Sequence, residues 1–168
     1  MKITRMISNN KNHYTGVNKC KYITIHETGN KNRGANALNH AKYINSGSSA
    51  TWHYTADDKQ IIQHYEDSVQ CWHSGDGRGD GNLNSIGIEM CVNSDGNFNK
   101  TIANTIELVH YLINKHNIPI TNVVQHNYWS GKNCPSNIRS GKPITWNTFI
   151  DRIKNVDKVV DSVDKLYR

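Results

Sequence analysis

The sequence predicts a single-domain α/β fold in which a sheet is covered by helices on both faces. Its 168 residues suit one domain large enough to bury its own core. Short β-branched runs alternate with segments whose apolar residues recur every three or four positions, so strands and helices mingle along the chain. No internal repeat or low-complexity tract interrupts that alternation.

Residues 21–27 (KYITIHE) alternate with β-branched side chains and read as a strand ending near His26. Residues 34–45, with Ala35, Leu38, Ala41 and Ile44 at intervals of three, read as a helix that Gly47-Ser48-Ser49 ends. Residues 52–56 and 60–65 predict a hairpin around Asp57-Asp58-Lys59, and 69–73 a further short strand. Four glycines within residues 75–82 predict a loop, read as a mobile rim; its Arg78-Gly79-Asp80 tripeptide is taken as chance. Residues 86–92 (IGIEMCV) are the most hydrophobic strand and therefore the central one. The clearest helix runs from about Lys100 to His116, with Ile102, Ile106, Val109 and Ile113 on one face and Pro119 beyond its end. A strand over 121–126 and a closing helix over 146–153 complete a domain of residues 1–155. The tail, 156–168, reads as an amphipathic helix or a linker.

Composition narrows the function classes. No apolar stretch approaches the roughly 20 residues that span a bilayer, and the hydrophobic fraction of 36% is carried by recurring aliphatic runs rather than thinned out. The first ten residues lack the apolar core and cleavage site of a secretory leader, which predicts synthesis in the cytoplasm. A net charge of +6 favours a polyanionic partner, but it is diffuse, without an Arg-rich tract or a nucleic-acid-binding motif. Cys20, Cys71, Cys91 and Cys134 form no CxxC pair; the first three read as buried thiols. The 23 Asn, 18 Ile and 14 Lys against 6 Arg fit an AT-rich genome as easily as any physical need.

Nine histidines are many. His13, His40, His64, His110 and His116 read as surface or core residues. His26 and His126 differ, because each ends an apolar strand, and Cys134 follows His126 by eight positions. Two imidazoles and a thiolate would give three ligands and leave a tetrahedral position open, as in catalytic zinc sites. A structural site would want a fourth ligand, and none is obvious; spacing alone leaves the question open.

Five motifs in order carry more. Ile25-His26-Glu27-Thr28, Trp52-His53-Tyr54, Cys71-Trp72-His73-Ser74-Gly75, Asn84-Ser85-Ile86-Gly87-Ile88-Glu89, and His126 through Lys132-Asn133-Cys134-Pro135 resemble the zinc-dependent N-acetylmuramoyl-L-alanine amidases. These type-2 amidases are related to the peptidoglycan recognition proteins and to phage amidase lysozymes. The resemblance implies a mixed central β-sheet flanked by helices, with one zinc in a shallow surface groove. It implies cleavage of the amide between N-acetylmuramic acid and the L-alanine of the stem peptide. By position it makes His26, His126 and Cys134 the zinc ligands, Glu89 the catalytic carboxylate and Lys132 the catalytic lysine. Many relatives carry Asp at the third ligand position; a thiolate matches Gram-positive phage endolysins. His53, Trp72 and His73 fall where relatives line the groove and are expected to touch substrate, while Trp129 either packs beneath the site or stacks on a sugar.

The expected partner is bacterial peptidoglycan, with anionic wall polymers as a second attraction for the basic surface; no nucleic acid is expected, and a monomer is. An endolysin-like enzyme of a Gram-positive phage or prophage, released by a holin or by lysis, is favoured over an autolysin or a wall-recycling enzyme. In that plan the tail leads to a wall-binding domain. The competing reading is a recognition module that holds stem peptides without cutting them; retention of Cys134, Glu89 and Lys132 speaks against it.

Overall fold

The computed structural model describes residues 2–156. Among the described residues, eight strands and six α-helices are β1 (Ile3–Arg5), β2 (His13–Tyr14), β3 (Tyr22–Glu27), α1 (Ala37–Asn45), β4 (Tyr54–Ala56), β5 (Ile61–Gln63), β6 (Gln70–Cys71), α2 (Asp80–Leu83), β7 (Ser85–Met90), α3 (Phe98–His116), β8 (Val123–Gln125), α4 (Asn127–Ser130), α5 (Ser136–Arg139) and α6 (Trp146–Lys154). Six strands form one sheet in the order β1-β5-β4-β7-β3-β8, and β2 pairs with β6 apart from it. Only β4 and β5, the expected hairpin, run antiparallel within that sheet, which makes it mixed. Beyond Val156 the expected tail lies outside the described residues.

Strand alternation gives the two faces different chemistry. Ile23 and Ile25 of β3 and Ile86, Ile88 and Met90 of β7 turn to one face. There they form the main core with Ile102, Leu108 and Val109 of α3 and Phe149 and Ile153 of α6. The intervening residues, Thr24 and His26 on β3 and Ser85, Gly87 and Glu89 on β7, turn to the other face. On that side α1 packs Ala37 and Ala41 against Ile62 and Cys91. Helices therefore cover both faces, as expected, but the second face is largely polar.

Asparagine caps account for where the helices α1 and α3 begin. Asn36 accepts a hydrogen bond from Asn39 N, so α1 starts at Ala37, after Gly34 has taken a φ of +79° that no helix contains. Asn97 caps α3 in the same way, starting it at Phe98, and Asn117 ends it in the left-handed conformation. Both short strands β1 and β2 were absent from the expectation. The glycine loop carries its own hydrogen bonds and a short helix. Asp76 accepts from the backbone N–H groups of Gly81 and Asn82, and Asp80 opens the short α2. The Arg78 guanidinium lies over the Tyr14 ring, 4.7 Å from its centroid.

Asp67, 5% exposed, ties β4 to the end of α3. It accepts from the Tyr54 hydroxyl (2.5 Å), Lys115 Nζ (2.7 Å) and His116 Nε2 (2.8 Å). Burial alone would raise its carboxyl, but hydrogen bonds from Lys115, Tyr54 and His116 outweigh it and hold it below its ordinary value. Asp67→Asn should cost about 2–3 kcal/mol in denaturant unfolding near neutral pH. A depressed carboxylate stabilises above its unfolded pKa and loses that contribution as pH falls through the folded one. The difference between the two proteins should therefore shrink below about pH 3.8.

Candidate metal centre and active site

The parallel register of β3 and β7 sets His26 directly beside Glu89, and Thr55 of β4 flanks Glu89 on its other side. The alternation that buries Ile25 and Ile88 against α3 thus delivers His26 and Glu89 to the polar face. His26 Nδ1 lies 3.9 Å from Glu89 Oε1. His126 follows β8 instead of ending it; its N–H donates to the Ile25 carbonyl at 3.1 Å and carries the ladder one residue further. The chain then turns through α4 and Gly131 (φ +74°) and returns. Asn127 staples that return: its N–H donates to the Cys134 carbonyl and its Nδ2 to the carbonyls of Gly131 and Lys132.

The folded chain brings His26 Nδ1 and His126 Nδ1 to 3.0 Å, and the donor atoms of His26, His126 and Cys134 lie within 4.8 Å of one another. All three residues are buried. This trio could hold a metal ion. Tetrahedral zinc, with bonds near 2.0 Å to nitrogen and 2.3 Å to sulfur, needs donor separations of ~3.5 Å, so small shifts suffice.

Glu27, next to His26, fixes the third donor. Its N–H donates to Cys134 Sγ at 3.4 Å, while its carboxylate accepts from Ser136 Oγ, Asn137 N and Ile138 N just beyond. Neither Glu27 nor Asn127 was anticipated as a site residue. Glu27 shares the strand parity of Ile23 and Ile25, and its burial, which marks it out, shows only in the folded chain.

Electrostatics suits a cation. Burial first, then His73, His126 and Lys132, keep His26 well below its ordinary pKa, and burial with Lys132 lowers His126. Both rings are therefore neutral, with lone pairs to offer. Burial and the charge of Glu89 push the Cys134 thiol up to about 12, a penalty that a coordinated cation reverses by deprotonating the thiol outright. Burial also lifts Glu89 to about 8, with Lys132 pulling the other way. Its Oε2 is buried without a hydrogen-bond partner.

Cavities flank this centre on two sides. One of about 380 Å³ is lined by Glu89, Thr28, Asn30, Asn39, Tyr43 and Trp52. Another of about 370 Å³ is lined by Lys132, His126, Trp72, His73 and Ser130. Lys132 is exposed there. His53 departs from expectation: it is fully buried, with Nδ1 accepting from Gly87 N and Nε2 bonded to the Val69 carbonyl, so it supports the sheet and lines no groove. Trp129 packs beneath the site, donating to Thr24 Oγ1 at 2.9 Å and meeting the Tyr22 ring edge-on. Trp72 is half-buried in the wall of the second cavity, edge-on to Tyr14.

The family model described as N-acetylmuramoyl-L-alanine amidase matches residues 16–137. The chain belongs to the N-acetylmuramoyl-L-alanine amidase family. Among curated proteins, this family member is 47% identical over 129 residues to the N-acetylmuramoyl-L-alanine amidase XlyA of Bacillus subtilis, a match covering 76% of this chain and 42% of XlyA. It is 44% identical to the amidase CwlH of the same organism, over 81% of this chain and 54% of CwlH. The chain thus spans about half the length of the curated relatives it matches. Among solved structures, the catalytic domain of XlyA superposes with a TM-score of 0.84 at 42% identity, covering 91% of this chain and 99% of that one. PlyL superposes with a TM-score of 0.82 at 33% identity, covering 91% and 97%. The mixed sheet with helices on both faces is thus an amidase fold.

Proposed function

We propose that the chain hydrolyses the amide joining the lactyl group of N-acetylmuramic acid to the L-alanine of the stem peptide, with zinc held by His26, His126 and Cys134. The observation that carries this reading is a half-buried carboxylate, Glu89, 3.9 Å from a ligating imidazole in a centre of two histidines and a thiolate. Zinc, when bound, supplies Lewis acidity and acidifies water toward a pKa of ~7. Glu89 takes a proton from the attacking water and passes it to the departing alanine nitrogen, a transfer suited by a carboxyl lifted to about 8. Lys132 faces the negative charge that develops on the carbonyl oxygen. The two flanking cavities give the glycan and the peptide separate places on either side of the scissile bond.

The partner is bacterial peptidoglycan, and the +6 charge adds attraction to anionic wall polymers that high salt should weaken. Endolysin-type action on a Gram-positive wall, after release by a holin or by lysis, fits the likeness to XlyA and PlyL. Digestion of purified Gram-positive walls, with and without a zinc chelator, tests the reading. New L-alanine amino termini that disappear with chelator and return with zinc support it. Bound protein on intact walls leaves a recognition module, and new reducing ends mean a different bond.

A further inference from the structure

We propose that His73 is a positioning residue of the metal centre: its Nδ1 accepts the Nε2–H of His26 and thereby turns His26 Nδ1 toward His126 and Cys134. This rests on the reading that the trio binds a metal, and it stands beside the expectation that His73 touches substrate, since His73 also lines the second cavity.

The geometry is specific. His26 Nε2 and His73 Nδ1 are 3.0 Å apart, and the two rings meet edge-on at an interplanar angle of 81°. The opposite nitrogen of His26 is the one that lies 3.0 Å from His126 Nδ1. A neutral imidazole carries one proton, so a ring that offers Nδ1 as a ligand must carry its proton on Nε2. That proton is buried with a residue 1% exposed and needs an acceptor. His73 Nδ1 is that acceptor, which leaves the proton of His73 on its own Nε2, a buried nitrogen that meets no hydrogen-bond partner among the described residues.

The protein holds His73 firmly for the task. Its ring lies flat on Gly87 of β7; a Cβ there would meet ring Cγ and Nδ1 at 2.8 Å, so glycine is required beneath it. The backbone N–H groups of His73 and Ser74 both donate to Asn82 Oδ1, at 2.8 and 2.9 Å. Ser74 Oγ adds a second contact, 3.0 Å from Nδ1. Metal-ligating histidines commonly give their second N–H to a carboxylate or a carbonyl. A neutral imidazole does this without adding negative charge to a centre that already holds a thiolate and Glu89.

The test is zinc affinity in the absence of substrate, read by competition between the metal-free protein and a chromophoric chelator. His73→Leu removes the acceptor while filling the space, and His73→Asn puts a side-chain oxygen near the position of Nδ1. Zinc binding should weaken by about 10–100-fold in His73→Leu and stay within about threefold of the parent in His73→Asn. Unchanged zinc affinity with a raised KM in His73→Leu would make His73 a substrate contact and overturn the proposal; equal losses in both variants would reduce it to shape. If His73→Leu does not fold, nitrogen NMR of the unsubstituted zinc-loaded protein decides, since a His26 protonated on Nδ1 is incompatible with the proposal. Zinc binding without wall hydrolysis would overturn the proposed function alone, whereas a parent that binds no zinc overturns both.

Discussion

Glu89→Gln should retain the fold and the metal donors while lowering wall hydrolysis by about 10²–10⁴-fold, the usual worth of a general acid–base group. The substitution is nearly isosteric, and the buried Oε2 has no hydrogen bond to lose. Steady-state release of amino termini measures the effect, and retained activity would remove Glu89 from the chemistry. The same variant carries a stability signature in the metal-free protein. A carboxyl lifted by burial from 4.5 to about 8 is most comfortable protonated, so its ionisation increasingly opposes folding as pH rises between those values. Glutamine escapes that cost, and Glu89→Gln should therefore unfold at a higher temperature than its metal-free parent at pH 9.

Cys134→Ala should reduce zinc content to background and activity to that of the chelated parent. It removes one of the three donors that converge among the described residues and leaves two imidazoles whose nitrogens are 3.0 Å apart. Metal analysis after gel filtration reads the first effect and wall digestion the second. Cys91→Ala is the matched control. That thiol is equally buried but sits against Ala37, Ala41 and Ile62 under α1, so its loss should leave stoichiometric zinc. Full zinc and full activity in Cys134→Ala would dismantle the proposed centre.

These residues were legible in the sequence to different degrees, for physical reasons. The long strands β3 and β7 stand out because alternation kept up over six residues fits the pleat of a strand and little else, and α3 because its apolar stripe runs for five turns. The strands β1 and β2 are three and two residues long, too short for any period to show. Helices α1 and α3 begin where asparagine caps them, and an asparagine cap looks in sequence like any other polar residue. The donor trio was visible through ordered motifs, while spacing alone left it open. Glu27 and Asn127 act on backbone groups of a loop, and such partners leave no mark in side-chain patterning. His53 shows the converse: its motif placed it near the site, and only its two satisfied nitrogens reveal a residue of the interior.

The clasp between Glu27 and the segment that follows Cys134 also has a consequence in time. His26 and Glu27 leave the ribosome well before their partners, which lie 100 to 111 positions further along the chain. No nascent polypeptide that stops short of Ile138 contains all the groups that close the centre. The proposed centre, assembled from segments so far apart, is complete only once the later one has emerged.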